Sequence, residues 1–169
     1  MFPGRNRESD PEPSEVYDGL RRQVLDLDPA EAGLEPSPDL PHVWGLVMET
    51  GYARGVATLV ALADGTTSLY FSTGGGIIGG GVHPRIANAT RALLDVVEQH
   101  IGQMPVSTHT ALPAVGRTAL RAMTYQGQRA VEAGEEELGR RMHPQSDVFH
   151  AAHAVITELR LVDEARSAP

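Results

Sequence analysis

Residues Ser72–His83 read S-T-G-G-G-I-I-G-G-G-V-H and hold six of the chain's eighteen glycines. An apolar, extended run precedes this stretch and a proline-started helical pattern follows it, so the fold must pass from strand to helix through it. Glycine reaches positive φ without a Cβ clash and lets a backbone or a ligand approach closely. The two Gly triplets around Ile77 and Ile78 therefore have two readings. One is a loop whose exposed N–H groups form an anion nest. The other is a tightly folded connection that tucks both isoleucines into the core or against a partner.

Gly74, Gly76 and Gly79 satisfy G-x-G-x-x-G after the strand-like run Ser68–Phe71. A dinucleotide fingerprint needs a parallel βαβ unit, whereas Asp64-Gly65 predicts a hairpin and hence an antiparallel strand. The helix also starts at Pro84, too late to sit under a pyrophosphate at Gly76. A Walker A loop is excluded, because it needs a lysine and all fourteen basic residues are arginine.

A chain of 169 residues with 41% hydrophobic content is expected to form one domain with a real core. No apolar run approaches the roughly 18 residues of a membrane span, and Met1–Ser14 does not resemble a secretory signal. Cysteine is absent, which removes disulfides, thiolate nucleophiles and Cys-based zinc sites. A cytoplasmic location is expected. The net charge of −8 and the lack of any arginine cluster argue against a nucleic-acid partner.

In chain order, residues 1–13 are polar and proline-broken and read as a disordered tail. Ser14 caps a helix to about Leu27, with Val16, Tyr17, Leu20, Val24 and Leu27 on one face. Asp28–Pro41 reads as a loop with one helical turn at Pro29–Ala32. His42–Thr50, Val56–Ala63 and Thr66–Ser72 are strand-like. The first two are apolar on both alternating sets, with Trp44, Leu46 and Met48 opposite Val43 and Val47, as in strands covered on both faces. Pro84 opens a helix whose stripe is Ile86, Thr90, Leu93, Leu94, Val97 and Ile101, with Gly102 as its C-terminal cap. A loop spans Gln103–Val115. Strands follow at Arg117–Tyr125 and Gln128–Ala133, turning at Gln126-Gly127. The last helix is expected from Pro144 to about Val162, leaving a single domain over residues 14–162 and a loose end over 163–169.

Gly65 precedes His83-Pro84 by 18 residues, and Gly127 precedes His143-Pro144 by 16. Both segments have the order strand, turn, strand, loop, His-Pro, helix, which suggests a degenerate duplication of a ββα unit. The expected fold class is thus α+β, an antiparallel sheet of about five strands flanked by helices in the order α-β-β-β-α-β-β-α. Over residues 14–162 this element order resembles the profilin-like layout, and within it Roadblock/LC7-type domains. The resemblance implies a non-enzymatic, dimerising regulatory or scaffolding domain, and no functional residue is carried over from it.

Candidate chemistry is sparse. If the glycine loop binds a phosphate or carboxylate, the ligand-binding set is Ser72, Thr73, Gly74, Gly75, Gly76, Gly79, Gly80, His83 and Arg85. The hydroxyls and backbone donors would be joined by the cationic groups nearest them. No G-x-S-x-G elbow surrounds Ser72, so it is not read as a nucleophile. His150 and His153, at i and i+3, lie opposite the apolar stripe of the last helix and are expected to face solvent or a partner. No metal site or cofactor is assigned, since H-A-A-H lacks the zincin spacing. Glu132, Glu135, Glu136 and Glu137 read as a solvated acidic run. His83 and His143 are placed to order the helices that follow them. The leading expectation is a cytoplasmic binding or regulatory domain, homo-oligomeric, with the Ile77-Ile78 loop and Pro144–Val162 as contact surfaces. The alternative is a small-ligand protein, with catalysis left open, that binds an anion at the glycine loop.

Overall fold

Ser14 starts the first helix as expected. Its hydroxyl accepts a hydrogen bond from the Tyr17 N–H at 3.2 Å, and Glu15 and Asp18 complement the positive helix end of α1 (Glu15–Leu25). The computed structural model describes residues 14–169. The tail expected over residues 1–13 lies outside them.

The strands are β1 (Val43–Tyr52), β2 (Gly55–Leu62), β3 (Thr67–Phe71), β4 (Gly76–Ile77), β5 (Arg117–Thr124) and β6 (Gly127–Gly134). They form one antiparallel sheet in the order β4-β3-β2-β1-β5-β6. Five of these strands are the expected ones. The sixth, β4, is two residues of the glycine stretch folded back on β3, pairing Ile77 with Leu69 and Gly76 with Tyr70. The helices α2 (Pro84–His100) and α4 (Ser146–Ser167) pack side by side on one face. There they cover Leu46, Met48, Leu59, Leu69 and Leu120. Of α2, Ile86, Leu93, Leu94 and Val97 are buried, each worth about 1.5–3 kcal/mol. The other face carries α1 and the loop after it, with Tyr17, Val24 and Leu34 packed on Trp44, Val47, Val60 and Met123.

Trp44 departs from the expected alternation. Val43 pairs with Thr124 and Gly45 with Met123, so β1 has one extra residue there. A bulge of this kind shifts every later side chain to the other face. Trp44 therefore lies with Val47 on the α1 face and not with Leu46 and Met48.

Three further expectations are corrected. A short helix, α3 (Glu135–Gly139), forms where the acidic run predicts a solvated loop, with Glu135, Glu136 and Glu137 in its first turn. The last helix starts at Ser146 and continues to Ser167, through residues expected to be loose. Within that end, Arg166 reaches His83. The ββα duplication does not survive the topology. Both hairpins place their first strand beside β1, so β3 and β6 lie on opposite sides, while α2 and α4 cover the same face. Because β2 and β5 both run antiparallel to β1, the two units have opposite hand and cannot be superposed by rotation.

Candidate functional site

The glycine stretch is an edge of the sheet. Phe71 donates its N–H to Gly75 O at 3.1 Å, and Gly74 returns one to Phe71 O at 2.9 Å, closing a tight turn into β4. Gly74 and Gly75 take φ values of 108° and 79° there, which glycine adopts without cost. Close approach explains three more glycines. A Cβ on Gly76 would lie 2.2 Å from Leu69 O, and one on Gly81 would lie 1.8 Å from Gly65 O. Gly80 is buried with Leu159 and Ile86 against it, in a 3₁₀ turn over Gly80–Val82.

The expected ligand set is not gathered around one cavity. Ser72 is buried, with its hydroxyl accepting from Val56 N–H at 2.8 Å and its carbonyl from Ser14 N–H at 2.8 Å. Thr73, Gly74, Gly75, Gly76 and Gly79 are exposed and border none of the four main cavities among the described residues. His83 caps no helix N–H and instead accepts from Arg166. Arg85 pairs with Glu158 of α4, Nε to Oε2 at 3.0 Å. None of that set borders the cleft of about 750 Å³ between α2 and the β2–β3 turn, which only their neighbour Gly81 reaches. Asp39, Asp64, Asp95 and Glu98 line it against the single guanidinium of Arg91, a balance that repels anions. Glu98 is committed there, accepting from Val43 N–H at 2.9 Å and His42 N–H at 3.2 Å.

What the β4 edge does present is apolar. Ile77 packs partly on the core, while Ile78 is 62% and Val82 81% exposed. From Thr73 to Val82 no residue carries a charge and none is proline. Natural sheet edges are guarded by charges, prolines, bulges or very short strands; here only the shortness of β4 applies.

No protein-family model, curated protein or solved structure matches the chain.

A second site, absent from the sequence reading, lies under α1. Glu49 in β1 is fully buried, with five side-chain polar atoms gathered on its carboxylate. Arg21 Nε and Nη2 donate at 2.7 and 2.9 Å and Arg121 Nε at 3.0 Å, while Thr58 Oγ1 and Tyr17 Oη lie at 3.1 and 3.4 Å and share a hydrogen bond of 2.7 Å with each other. Burial alone would raise the Glu49 carboxyl, but hydrogen bonding and charge from Arg21, then Arg121, outweigh it and hold it below the usual carboxylate range. Burial, above all, pushes the Tyr17 phenol up to about 12. The remaining arginine donors hold the loop that crosses this face. Arg121 Nη1 and Nη2 donate to His109 O at 2.6 Å and Ala111 O at 2.8 Å, and Arg21 donates to Thr110 O between them. Three consecutive carbonyls are thereby clamped to one buried carboxylate. The adjoining cavity, about 210 Å³, is bordered by Arg21 and Thr110 and not by Glu49. The cluster is thus a structural clamp with every carboxylate oxygen already engaged. Its signal in the sequence is a charge set mid-strand among apolar neighbours, in V-M-E-T and A-L-R-A-M.

The histidines also differ from expectation. His150 and His153 lie under α3, half-buried, where Phe149 stacks on His153 at a centroid distance of 4.4 Å. His150 Nε2 pairs with Gly139 O at 3.1 Å. Burial, then the neighbouring His150 and Arg160, lowers the His153 imidazole pKa. They border a shallow cavity of about 500 Å³ with Glu135 and Arg140. Among the described residues no three metal-ligating side chains converge. His143 does order its helix start, its Nδ1 accepting from Gln145 N–H at 3.0 Å. No helix among the described residues is long and apolar enough to cross a membrane.

Proposed function

We propose that this chain is a non-catalytic binding or regulatory domain that works as a homodimer, two copies pairing through their β4 edges. The observation that carries this reading is the uncharged edge: β4 is followed by the exposed Ile78 and Val82, with no charge or proline from Thr73 to Val82. A chain of net charge −8 repels its own copy. An uncharged edge is where that repulsion is least. Both sheet faces are already covered by helices and the loop after α1, which leaves the edges for growth of the sheet. A twofold pairing of identical edges is isologous and closes at two copies, so it does not lead to fibres. The resemblance in element order to dimerising Roadblock-type domains and a cytoplasmic setting belong to the same proposal.

Sedimentation velocity from low micromolar to near-millimolar protein tests it. The wild type is expected to pass from monomer to dimer, and Ile78→Asp to stay monomeric while keeping its circular dichroism. A wild type that remains monomeric throughout, or an Ile78→Asp variant that dimerises equally, would overturn it.

A further inference from the structure

The five-residue helix α3 closes over one side of α4, and several groups at that closure are left unsatisfied. Leu138 is buried, a Cβ on Gly139 would lie 3.9 Å from the Phe149 ring, and Gly139 O meets His150 Nε2 at 3.1 Å. A helix this short has no stability of its own and depends on such contacts. Against them, Arg141 in the turn out of α3 takes φ 59°, a left-handed conformation that a residue with a Cβ enters at a cost. Gln145, at the entry to α4, is buried, and neither atom of its amide has a hydrogen-bond partner among the described residues. His153 Nε2 is buried and unpartnered in the same way. Such groups carry their full desolvation cost, so α3 is held closed by a narrow margin. His153 makes that margin depend on protons. A neutral ring can leave Nε2 as a bare lone pair, whereas the imidazolium must place an N–H there. On the α3 side, Glu135, Glu136 and Arg140 border the cavity that His153 shares with Phe149 and His150. Tyr52 of β1 holds Glu135 at 3.4 Å and Arg140 holds Glu136 at 2.6 Å, and among the described residues neither carboxylate pairs with His153. Within α4, His150 and Arg160 both oppose a charge on it.

We propose that α3 and the turn after it, residues 135–142, form a proton-driven flap: when His153 takes up a proton, the segment lifts from α4, lets water reach the imidazolium and uncovers Leu138 and Phe149. Lifting also frees Arg141 from its left-handed backbone. With the flap closed, the ring titrates below its ordinary 6.5; with the flap open, it returns to that value. The open fraction therefore grows as pH falls below 6.5, by up to tenfold per pH unit, until the pH reaches the closed-state value. His150 acts in the other direction. Its Nε2 meets Gly139 O, a bond that an imidazolium N–H also donates, so a proton there keeps α3 in place. No residue of β4 lines this contact, and the flap does not depend on the pairing of copies.

Amide hydrogen exchange on the full chain, across the range of about pH 5.5 to 7.5 in which an imidazole titrates, reads the flap. The hydrogen-bonded amides of Arg140, Arg141 and Met142 are expected to exchange through a local opening whose rate low urea leaves unchanged, while β1 amides exchange through urea-sensitive global unfolding. Protection factors, which remove the intrinsic pH dependence of exchange, are expected to fall at these three amides by up to tenfold per pH unit below 6.5. His153→Leu is expected to abolish that fall. His150→Gln is expected to lower protection at every pH and to keep the fall. Should His153→Leu fail to fold, the wild type still decides, because the His153 ring protons and the α3 amide shifts are expected to titrate with one midpoint. Protection at α3 that ignores pH, a pH dependence that survives His153→Leu, urea-sensitive exchange matching that of β1, or two separate midpoints would each overturn the proposal.

Discussion

Replacing Glu49 with leucine removes the acceptor that two arginines share. Arg21 has a side chain 15% exposed and can swing its guanidinium to water, whereas Arg121, at 2%, cannot. Breaking a buried pair from one side costs about 3–5 kcal/mol, because it leaves an uncompensated charge in the interior. That is a large share of the roughly 5–15 kcal/mol by which folded domains are stable. For a chain of this size it corresponds to a melting temperature lower by about 6–20 °C. Urea unfolding followed by Trp44 fluorescence measures it directly. The double variant Glu49→Leu/Arg121→Met removes both buried charges, so it is expected to cost less than the sum of the single changes by at least about 1 kcal/mol. Acid gives an independent readout. The Glu49 carboxyl titrates lower in the folded chain than its ordinary value of 4.5. Its contribution is therefore fully present above that pH and is lost as pH falls through the folded value. Glu49→Gln is expected to flatten this acid limb. A Glu49→Leu variant destabilised by less than about 1 kcal/mol, or strict additivity in the double variant, would refute the clamp.

Three other outcomes follow from the same structure. Gly81→Ala forces a Cβ onto Gly65 O and is expected to cost about 1–3 kcal/mol in urea unfolding, while Gly102→Ala, with open space around it, is expected to cost nothing. The His153 imidazole titrates below its ordinary 6.5 in the folded chain, so thermal stability should decline as pH drops below that value, and His153→Leu should remove the decline. Ile78→Asp should abolish self-association without lowering the melting temperature of the monomer, since Ile78 is largely exposed; a large loss of monomer stability would place Ile78 in the core instead.

The fold was largely legible because its elements announce themselves locally. Ser14, Pro84, the Asp64-Gly65 turn and the doubly apolar runs of β1 and β2 each act over a few residues. Departures arise where tertiary contacts decide. β4 is two residues long, too short for any periodicity, and forms because Gly76 alone can approach Leu69 O. The β1 bulge is a mismatch with β5, invisible in β1 by itself. His150 and His153 lie opposite the apolar stripe as the helical period requires, but α3 covers that side. The clamp is not legible in the sequence because Glu49, Arg121 and Arg21 are far apart along it, although a charge in the middle of each buried strand is its visible sign.

Amide hydrogen exchange at Ile77, Ile78 and Gly79, followed as protein concentration is raised, tests the β4 pairing most directly. Protection at these amides should rise with concentration in the wild type and stay flat in Ile78→Asp, while core amides of β1 exchange equally slowly in both. Exchange at the β4 edge that does not change with concentration would contradict the dimer.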